Sequence, residues 1–231
     1  MKKIVIAIDG PAASGKSTTA KLLAQKLGYV YIDTGAMYRA FALKALTQDV
    51  LERLQTDEAF LRQFVDSTDV RLSESSVWLD GKDVTTEIRT NDVSKSVSKV
   101  SALKAVREKL SAIQKKLGEA KGVVMDGRDI GTAIFPNAEL KIYMLASVQE
   151  RAKRRYAELK AKNAELGVTI EELEAEIRRR DEEDMNRAVS PLRKADDAIE
   201  LDTSALTIEE QVERIYKLAL EKINDCKGAV Q

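Results

Sequence analysis

Histidine is absent from the sequence, and Cys226 is its one cysteine. Without imidazole side chains, the chain has no histidine general base, no Ser-His-Asp triad and no histidine ligand for a metal ion. A single cysteine cannot form a disulfide within the chain, which is typical of proteins from a reducing compartment. We expect Cys226 to be an unreactive thiol.

The sequence also lacks long hydrophobic runs and an excess of either charge. The apolar run at residues 4–8 is typical of its longest, whereas a membrane-spanning helix needs about 18 such residues. Lys and Arg total 38, as do Asp and Glu, so no overall basic field attracts nucleic acid or an anionic membrane. The first residues lead into a strand-like segment without a cleavage signal. We expect a cytoplasmic protein with no nucleic-acid or membrane partner, whose anion sites are local.

Short apolar runs alternate with longer helical patterns along the 231 residues. The apolar runs predict buried strands at residues 4–8, 29–32, 123–125, 140–145 and 198–201. Helical spacing predicts a helix at 16–27 that stops at Gly28, a second over the apolar positions of 93–117, and a third at 208–219. This alternation of strand and helix indicates an α/β fold with a parallel sheet covered on both faces.

Two segments depart from the alternation. Residues 69–84 contain short alternating runs and the dipeptide Asp80-Gly81, which favours a type I′ turn, so they predict an antiparallel insertion. Residues 150–187 are rich in charge, and Thr169 with Glu172 predicts a capping box that starts a second helix within this segment. Because the apolar stripe of this helical hairpin is thin, we expect a solvated arm or a moving lid.

The segment from Gly10 to Ser17 matches the phosphate-loop pattern G-x-x-x-x-G-K-[ST] at every fixed position. A predicted buried strand precedes it and a predicted helix follows it, which is the context that this motif requires. The glycines let backbone N–H groups face phosphate oxygens, and the helix N-terminus adds a partial positive charge. We expect Lys16 to bridge the β- and γ-phosphates of a nucleoside triphosphate and the Ser17 hydroxyl to bind Mg²⁺.

Three further polar clusters point to a second substrate. Residues 33–39 follow the second predicted strand and residues 126–129 follow the third, at the sheet edge where ligands of doubly wound folds bind. Arg180, Asp184 and Arg187 are spaced i, i+4, i+7, which predicts that they share one face of a helix. Arginines in such places form forked hydrogen bonds with a phosphate. Taken alone, the last cluster is equally typical of a self-paired, solvated helix face.

Together, these four motifs resemble bacterial cytidylate kinase, within the superfamily of P-loop nucleoside monophosphate kinases; they lie at residues 10–17, 33–39, 126–129 and 180–191. The resemblance extends over nearly the whole chain. It implies a three-layer P-loop fold with a five-stranded parallel sheet, formed by residues 1–65, 91–149 and 191–231. It further implies an antiparallel insertion on the monophosphate side at 66–90 and a helical lid at 150–190. The implied reaction is Mg²⁺-dependent phosphoryl transfer from ATP to CMP or dCMP by a monomeric enzyme.

The resemblance also assigns roles to individual residues. The implied ATP-binding residues are Gly10, Pro11, Ala12, Ala13, Ser14, Gly15, Lys16, Ser17, Thr18 and Arg154. The implied CMP-binding residues are Thr34, Tyr38, Arg39, Arg107, Arg128, Asp129, Arg180, Asp184 and Arg187. Cytosine recognition is assigned to Thr34, Arg107 and Asp129, although the spacing of Arg107 alone predicts a surface position. The phosphate of CMP is assigned to Arg39, Arg128 and Arg187, and its sugar to Arg180 and Asp184.

Phosphoryl transfer has a loose transition state, so we expect catalysis to depend on alignment and on neutralisation of charge. The catalytic residues that we expect are Lys16, Arg128 and Arg187. Further lid arginines around the transferred group are expected among Arg151, Arg154 and Arg155. Asp126 is expected to hold water bound to Mg²⁺, and closure of the lid to exclude bulk water.

Two other functions stay open from the residues alone. A related P-loop kinase with a different acceptor keeps the fold and Lys16, although the dense arginines favour a phosphorylated acceptor. A nucleotide-gated switch or regulatory ATPase is the second, because residues 123–126 also match an acidic, metal-binding strand end. A nucleic-acid-binding function has only Lys153, Arg154 and Arg155 in its favour, and at zero net charge these fit the lid better.

Overall fold

A computed structural model describes residues 2–73, 75–162 and 167–228. The chain divides into two compact units. Unit 1 comprises Met1–Tyr31 and Lys121–Gln231, and unit 2 comprises Ile32–Ala120. The strands are β1 (Val5–Asp9), β2 (Val30–Asp33), β3 (Val70–Leu72), β4 (Val77–Leu79), β5 (Lys82–Asp83), β6 (Val123–Gly127), β7 (Leu140–Leu145) and β8 (Ile199–Asp202). The helices are α1 (Lys16–Leu27), α2 (Thr34–Thr47), α3 (Arg53–Thr56), α4 (Glu58–Asp66), α5 (Asn91–Ser101), α6 (Lys104–Gly118), α7 (Val148–Lys162), α8 (Ile170–Asn186) and α9 (Ile208–Gly228).

Within the described residues, a five-stranded parallel sheet has the order β2-β6-β1-β7-β8. Its central strands are short apolar runs, and every residue of β1 and β6 is buried. The core of unit 1 joins Ile6 and Ile8 of β1 to Leu23 of α1 and to Ile215 of α9. All five strands predicted from the sequence are present, and the α/β fold is confirmed. The predicted burial is wrong for β2, which is only partly buried, and for β8, which is largely exposed, because they lie at the two edges of this sheet. The predicted stop of α1 is also confirmed, because Gly28 has a φ of 65°, which favours glycine.

The charge-rich segment of unit 1 forms the predicted helical hairpin from α7 and α8. Both hydrogen bonds of the predicted capping box are present, between Thr169 and Glu172 at the start of α8. The apolar stripe is thin, with Ala152, Leu173 and Ile177 at its buried centre. Whether this hairpin moves as a lid stays a prediction.

One detail of the hairpin differs from the sequence prediction. Arg187 was expected on the same helical face as Arg180 and Asp184, but α8 ends at Asn186 and Arg187 has extended backbone, with φ −63° and ψ 144°. The helix stops here because the chain turns back and the Leu192 N–H donates to the Asp184 carbonyl at 2.8 Å. Arg187 therefore reaches its neighbours from a loop rather than from the helix.

Unit 2 combines helices with a small antiparallel sheet of order β3-β4-β5 among the described residues. The predicted antiparallel insertion is confirmed. Asp80 and Gly81 have φ values of 49° and 81°, the two left-handed residues that a type I′ turn requires. The core of the unit contains an edge-to-face contact of Phe41 in α2 and Phe64 in α4, with ring centres 6.2 Å apart.

The continuous helix predicted over residues 93–117 is wrong. The chain forms α5 and α6 instead, and Leu103 between them is extended, with φ −72° and ψ 120°. The apolar spacing continues through the break because both helices bury the same stripe in one core. The break also explains Arg107, which is 2% exposed and not on the surface as its spacing predicted. Its guanidinium donates to the Ser101 carbonyl at 3.1 Å, at an end of α5 that lacks an intrahelical partner.

Two expectations are only partly addressed by the structure. In the described part of the chain, no helix is both long enough and apolar enough to cross a membrane. Cys226 lies within the bounds of α9. Its side chain is outside the described residues, so its lack of reactivity stays a prediction.

Candidate functional site

The phosphate loop of unit 1 is a tight curl between β1 and α1. Three of its residues have positive φ, namely Gly10 at 152°, Ala13 at 57° and Gly15 at 88°. At Gly10 the loop passes so close to β7 that a Cβ atom would lie 2.3 Å from the Met144 carbonyl oxygen, so only glycine fits. Gly15 caps the N-terminus of α1, and Ser17 and Thr18 are exposed in its first turn. The loop therefore has the shape that turns N–H groups towards an anion.

Lys16 is the buried cation of this loop. Its side chain lies across the curl, and Nζ donates to the Pro11 carbonyl at 2.9 Å. Burial, with the nearby Arg128 guanidinium, lowers the pKa of Lys16 to about 7, although Asp126 acts in the opposite direction. A phosphate group beside Nζ favours the charged ammonium and raises this pKa again. Lys16 is thus placed to gain charge when an anion binds.

An oxygen-rich pair lies next to the loop. The Ser17 hydroxyl donates to Asp126 Oδ2 at 2.6 Å, and the Tyr31 hydroxyl donates to Asp126 Oδ1 at 2.9 Å. Asp126 is 3% exposed at the end of β6, where its Cα pairs with that of Ile8 in β1. A hydroxyl and a carboxylate are oxygen groups of the kind that Mg²⁺ prefers, and they would hold the ion directly or through water. The predicted residues Ser17 and Asp126 therefore fit the ion, and Tyr31, which the sequence analysis missed, orients the carboxylate.

Two carboxylates and two guanidinium groups form a buried cluster in the same unit. Arg128 Nε donates to Asp184 Oδ2 at 2.7 Å. Arg187 contacts Asp129 at 3.3 Å and Asp184 at 3.6 Å, and its Nε donates to the Ser190 carbonyl at 2.7 Å. Burial raises the pKa of Asp184, but Arg128 and the arginines around it outweigh this effect and hold the pKa below its ordinary value. The cluster keeps the Asp184 carboxylate ionised and holds the two arginines in fixed positions.

Two buried polar atoms of unit 1 have no hydrogen-bond partner among the residues described here, namely Ser14 Oγ in the loop and Arg180 Nε in α8. Burial, together with Arg128, lowers the pKa of Arg180. Buried donors are normally satisfied, so each of these two atoms is available to donate to a bound ligand. A phosphate or ribose oxygen is a partner of the right type.

The lid arginines differ in what they contact. Arg154 donates to the carbonyl of Ser14 in the phosphate loop at 3.4 Å and to the hydroxyl of Thr203 at 3.2 Å. Arg155 forms an ion pair with Glu158 at 3.0 Å. Arg151 is 4% exposed and donates to the Ala12 carbonyl at 2.9 Å. Arg151 and Arg154 thus contact the loop backbone, and Arg155 pairs along its own helix.

Asp9 is a buried residue that the sequence analysis missed. Its carboxylate accepts hydrogen bonds from the N–H groups of Ile130 at 2.8 Å and Gly131 at 2.7 Å. These two residues begin a π-helical turn that directly follows Arg128 and Asp129. Asp9 therefore anchors the segment that carries two predicted substrate-binding residues. The one signal in the sequence was a carboxylate at the end of an apolar strand, immediately before Gly10.

The buried carboxyl group of Asp9 predicts how the stability of the protein depends on pH. Burial raises the pKa of Asp9 from 3.8 to about 6, although the two backbone N–H groups lower it. The folded state then binds the proton more tightly than the unfolded state, so this group favours folding at low pH and loses that effect as pH rises through 6. Relative to Asp9→Asn, the unfolding free energy of the parent protein should fall by about 2 kcal/mol between pH 4 and 7. Urea unfolding of both proteins measures this, and a difference independent of pH would contradict it.

Unit 2 contains four predicted residues, and two of them lie at or near the start of α2. Thr34 is the first residue of the helix and is 3% exposed. The helix begins there because the side chain of Asp33 accepts a hydrogen bond from the Ala36 N–H at 2.9 Å. Arg89 holds Asp33 in turn, at 2.7 Å. Tyr38 lies one helical turn after Thr34, so both are on the same side of α2.

The other two predicted residues of unit 2 are arginines in defined positions. Arg107 of α6 lies over the ring of Tyr38, with 5.3 Å between the guanidinium carbon and the ring centre. Arg39 donates to the Ser94 hydroxyl at 2.8 Å. The structure thus groups Thr34, Tyr38 and Arg107 within unit 2, with Arg39 in the same unit. The remaining predicted residues belong to unit 1.

Comparison with known proteins identifies relatives over almost the whole length. A family model described as Cytidylate kinase matches residues 6–221. A cytidylate kinase from Chloroherpeton thalassium is 62% identical over 228 residues, which are 98% of this chain and 97% of the relative. A cytidylate kinase from Bacillus subtilis is 51% identical over 225 residues, which are 96% of this chain and 98% of the relative.

Matches among solved structures are more distant. A shikimate kinase from Bacteroides thetaiotaomicron has a TM-score of 0.47 and 16% identity, over 94% of this chain and 99% of that one. A gluconokinase from Sinorhizobium meliloti has a TM-score of 0.47 and 14% identity, over 99% of this chain and 98% of that one. The strand order described above defines the fold.

Proposed function

This chain belongs to the cytidylate kinase family, and on that premise we propose that it transfers the γ-phosphoryl group of ATP to CMP or dCMP. The products are ADP and CDP or dCDP. The observation that carries the proposal is the buried cluster of Arg128, Asp129, Asp184 and Arg187 in the same unit as the phosphate loop. It combines cations for a phosphate with carboxylates that can accept hydrogen bonds from an amine or a hydroxyl.

On the ATP side, the loop amides and Lys16 bind the phosphates, and Arg154 contacts the nucleotide from α7. Ser17 would bind Mg²⁺ and Asp126 would hold water bound to the ion, which would neutralise charge on the phosphate oxygens. Lys16 supports this role because its ammonium is already directed across the loop by the Pro11 carbonyl. No general base of the imidazole type is required, since transfer through a loose transition state depends mainly on alignment and charge.

On the CMP side, we assign the phosphate to three arginines, Arg39, Arg128 and Arg187. Asp129, Thr34 and Arg107 recognise cytosine, which offers an amine donor and two acceptors at its edge. Arg180 and Asp184 bind the sugar. The buried Nε of Arg180 has no acceptor among the described residues, which supports that assignment. Tyr38 supports Arg107 through the contact between its ring and the guanidinium.

The same proposal assigns a role to each segment of the chain. Residues 1–65, 91–149 and 191–231 form the P-loop core, residues 66–90 the insertion on the monophosphate side, and residues 150–190 the lid. The enzyme acts as a monomer in the cytoplasm, where its nucleotide substrates are found.

The test is ADP formation from Mg-ATP with CMP, dCMP, UMP, AMP and GMP as separate acceptors, beside a reaction without acceptor. We expect turnover with CMP and dCMP and little with AMP or GMP. Preference for another acceptor would favour a related kinase. Turnover without any acceptor, unchanged by CMP, would favour a regulatory ATPase and overturn the proposal.

Thr34 provides a test of base recognition at a single atom. Thr34→Val removes the hydroxyl and keeps the shape of a buried side chain, so it should raise the KM for CMP about tenfold, the cost of one unmade hydrogen bond. The KM for ATP should stay within about twofold. Thr47→Val, at an exposed position of the same helix, is the matched control. Equal KM values for CMP in the parent protein and Thr34→Val would remove Thr34 from the site.

A further inference from the structure

The peptide groups of Ala12, in the middle of the phosphate loop, are held by one buried ion pair. The Ala12 N–H donates to Asp181 Oδ1 at 3.3 Å, and the Ala12 carbonyl accepts from Arg151 Nη1 at 2.9 Å. Arg151 and Asp181 are themselves 2.6 Å apart. The three residues are 4–7% exposed. Both backbone polar groups of a single loop residue are therefore satisfied by two side chains that also neutralise each other.

The pair connects the loop to both helices of the lid hairpin. Arg151 is in the first turn of α7, and Asp181 is in α8. Arg151 Nε also donates to the carbonyl of Ala146, just before α7, at 3.0 Å. Few apolar side chains are fully buried along this hairpin, and these polar contacts join both of its helices to the loop.

The position of Ala12 matters for the loop amides that follow it. Ala13 has a φ of 57°, a left-handed backbone that is unfavourable for any residue with a Cβ atom. A loop with such a residue relaxes to other conformations unless its neighbours are fixed. The two hydrogen bonds to Ala12 immediately precede the strained residue and hold the curl that directs later N–H groups inwards.

We propose that Arg151 and Asp181 are positioning residues for ATP binding, which act through Ala12 and do not contact the transferred phosphoryl group. This differs from the role expected for Arg151 from the sequence, and it adds Asp181, which lies in the motif at residues 180–191 but was assigned no role there. The inference rests on the proposed function, since it takes the loop to be the ATP site. It follows that the lid hairpin contributes to ATP affinity through the loop backbone as well as through Arg154.

The experiment compares ATP binding by calorimetry, without any acceptor, with kinetics at varied ATP and CMP. Arg151→Ala and Asp181→Ala should each weaken ATP binding about tenfold, because a buried backbone group loses its partner. The double variant should be no weaker than either single variant, since the two side chains act as a unit. The KM for CMP should stay within about twofold. ATP affinity that is unchanged in both single variants would overturn the proposal.

Conservative variants separate positioning from folding. Asp181→Asn keeps an oxygen for the Ala12 N–H, so it should retain ATP affinity within about threefold. Arg179→Ala and Glu183→Ala remove an exposed pair on the same helix and should leave ATP affinity unchanged. If Asp181→Ala binds ATP weakly and Asp181→Asn binds it normally, the result supports a positioning role. This holds even when the alanine variants lose thermal stability. If Asp181→Asn loses stability and affinity as severely as Asp181→Ala, the pair is only structural. Because ATP binding is measured alone, a failure of CMP to react would contradict the proposed function and not this inference.

Discussion

Replacing Lys16 by alanine should lower kcat/KM for ATP by about a thousandfold, the scale expected when a charged contact to a transferring phosphoryl group is lost. Lys16 is buried and spans the loop through its bond to Pro11. Because burial lowers the pKa of Lys16 to about 7, its amine binds its proton weakly when no anion is bound. A phosphate beside Nζ raises this pKa and makes the group fully charged. Initial rates at varied Mg-ATP and saturating CMP measure the effect.

The matched control for Lys16→Ala is Lys21→Ala. Lys21 is on the same helix and is exposed. Its replacement lowers the net charge of the protein as Lys16→Ala does, but it removes no buried ammonium. We expect its kinetic constants to equal those of the parent protein. Phosphoryl transfer by Lys16→Ala within a few-fold of the parent would contradict the role assigned to the whole loop.

Replacing Arg187 by alanine should reduce kcat/KM for CMP by about a hundredfold, while ATP binding changes by no more than about threefold. The side chain is 6% exposed and lies within 3.6 Å of both Asp129 and Asp184. Its loss leaves two buried carboxylates with less compensating charge, and they then repel the phosphate of CMP. Steady-state kinetics at varied CMP, with calorimetric titration of ATP, separate the two effects.

Two further variants make the Arg187 result interpretable. Arg187→Lys keeps the positive charge but loses the planar fork, so it should recover part of the activity. Arg178→Ala removes an exposed arginine of α8 and should be unchanged. A normal KM and kcat for CMP in Arg187→Ala would remove Arg187 from the site.

Several features of the site could be predicted because they are local. The phosphate loop needs glycine at Gly10 and Gly15, two of its residues with positive φ, and lysine beside the helix N-terminus, and these requirements are read directly from the sequence. The capping box at Thr169 and the type I′ turn at Asp80-Gly81 involve residues within one turn of the chain. The central strands β1 and β6 were predictable because strands buried on both faces are short apolar runs.

Other features could not be predicted because they depend on which backbone groups the packed chain leaves without a partner. Arg107 is buried because α5 ends at Ser101 and exposes a carbonyl that its guanidinium can reach. The apolar spacing of 93–117 gives no sign of that break, since the same stripe is buried on both sides of it.

The sequence by itself determined the α/β architecture, the identity of the phosphate loop and the residue types available for two nucleotides. Only the tertiary structure decided which charges meet. Asp9 accepts a hydrogen bond from Ile130, which is 121 positions away in the sequence. Arg151 of one helix contacts Asp181 of another helix and Ala12 of the phosphate loop. The physical reason is that a buried charge takes whichever partner the fold brings within hydrogen-bonding distance, and sequence spacing carries no information about that distance.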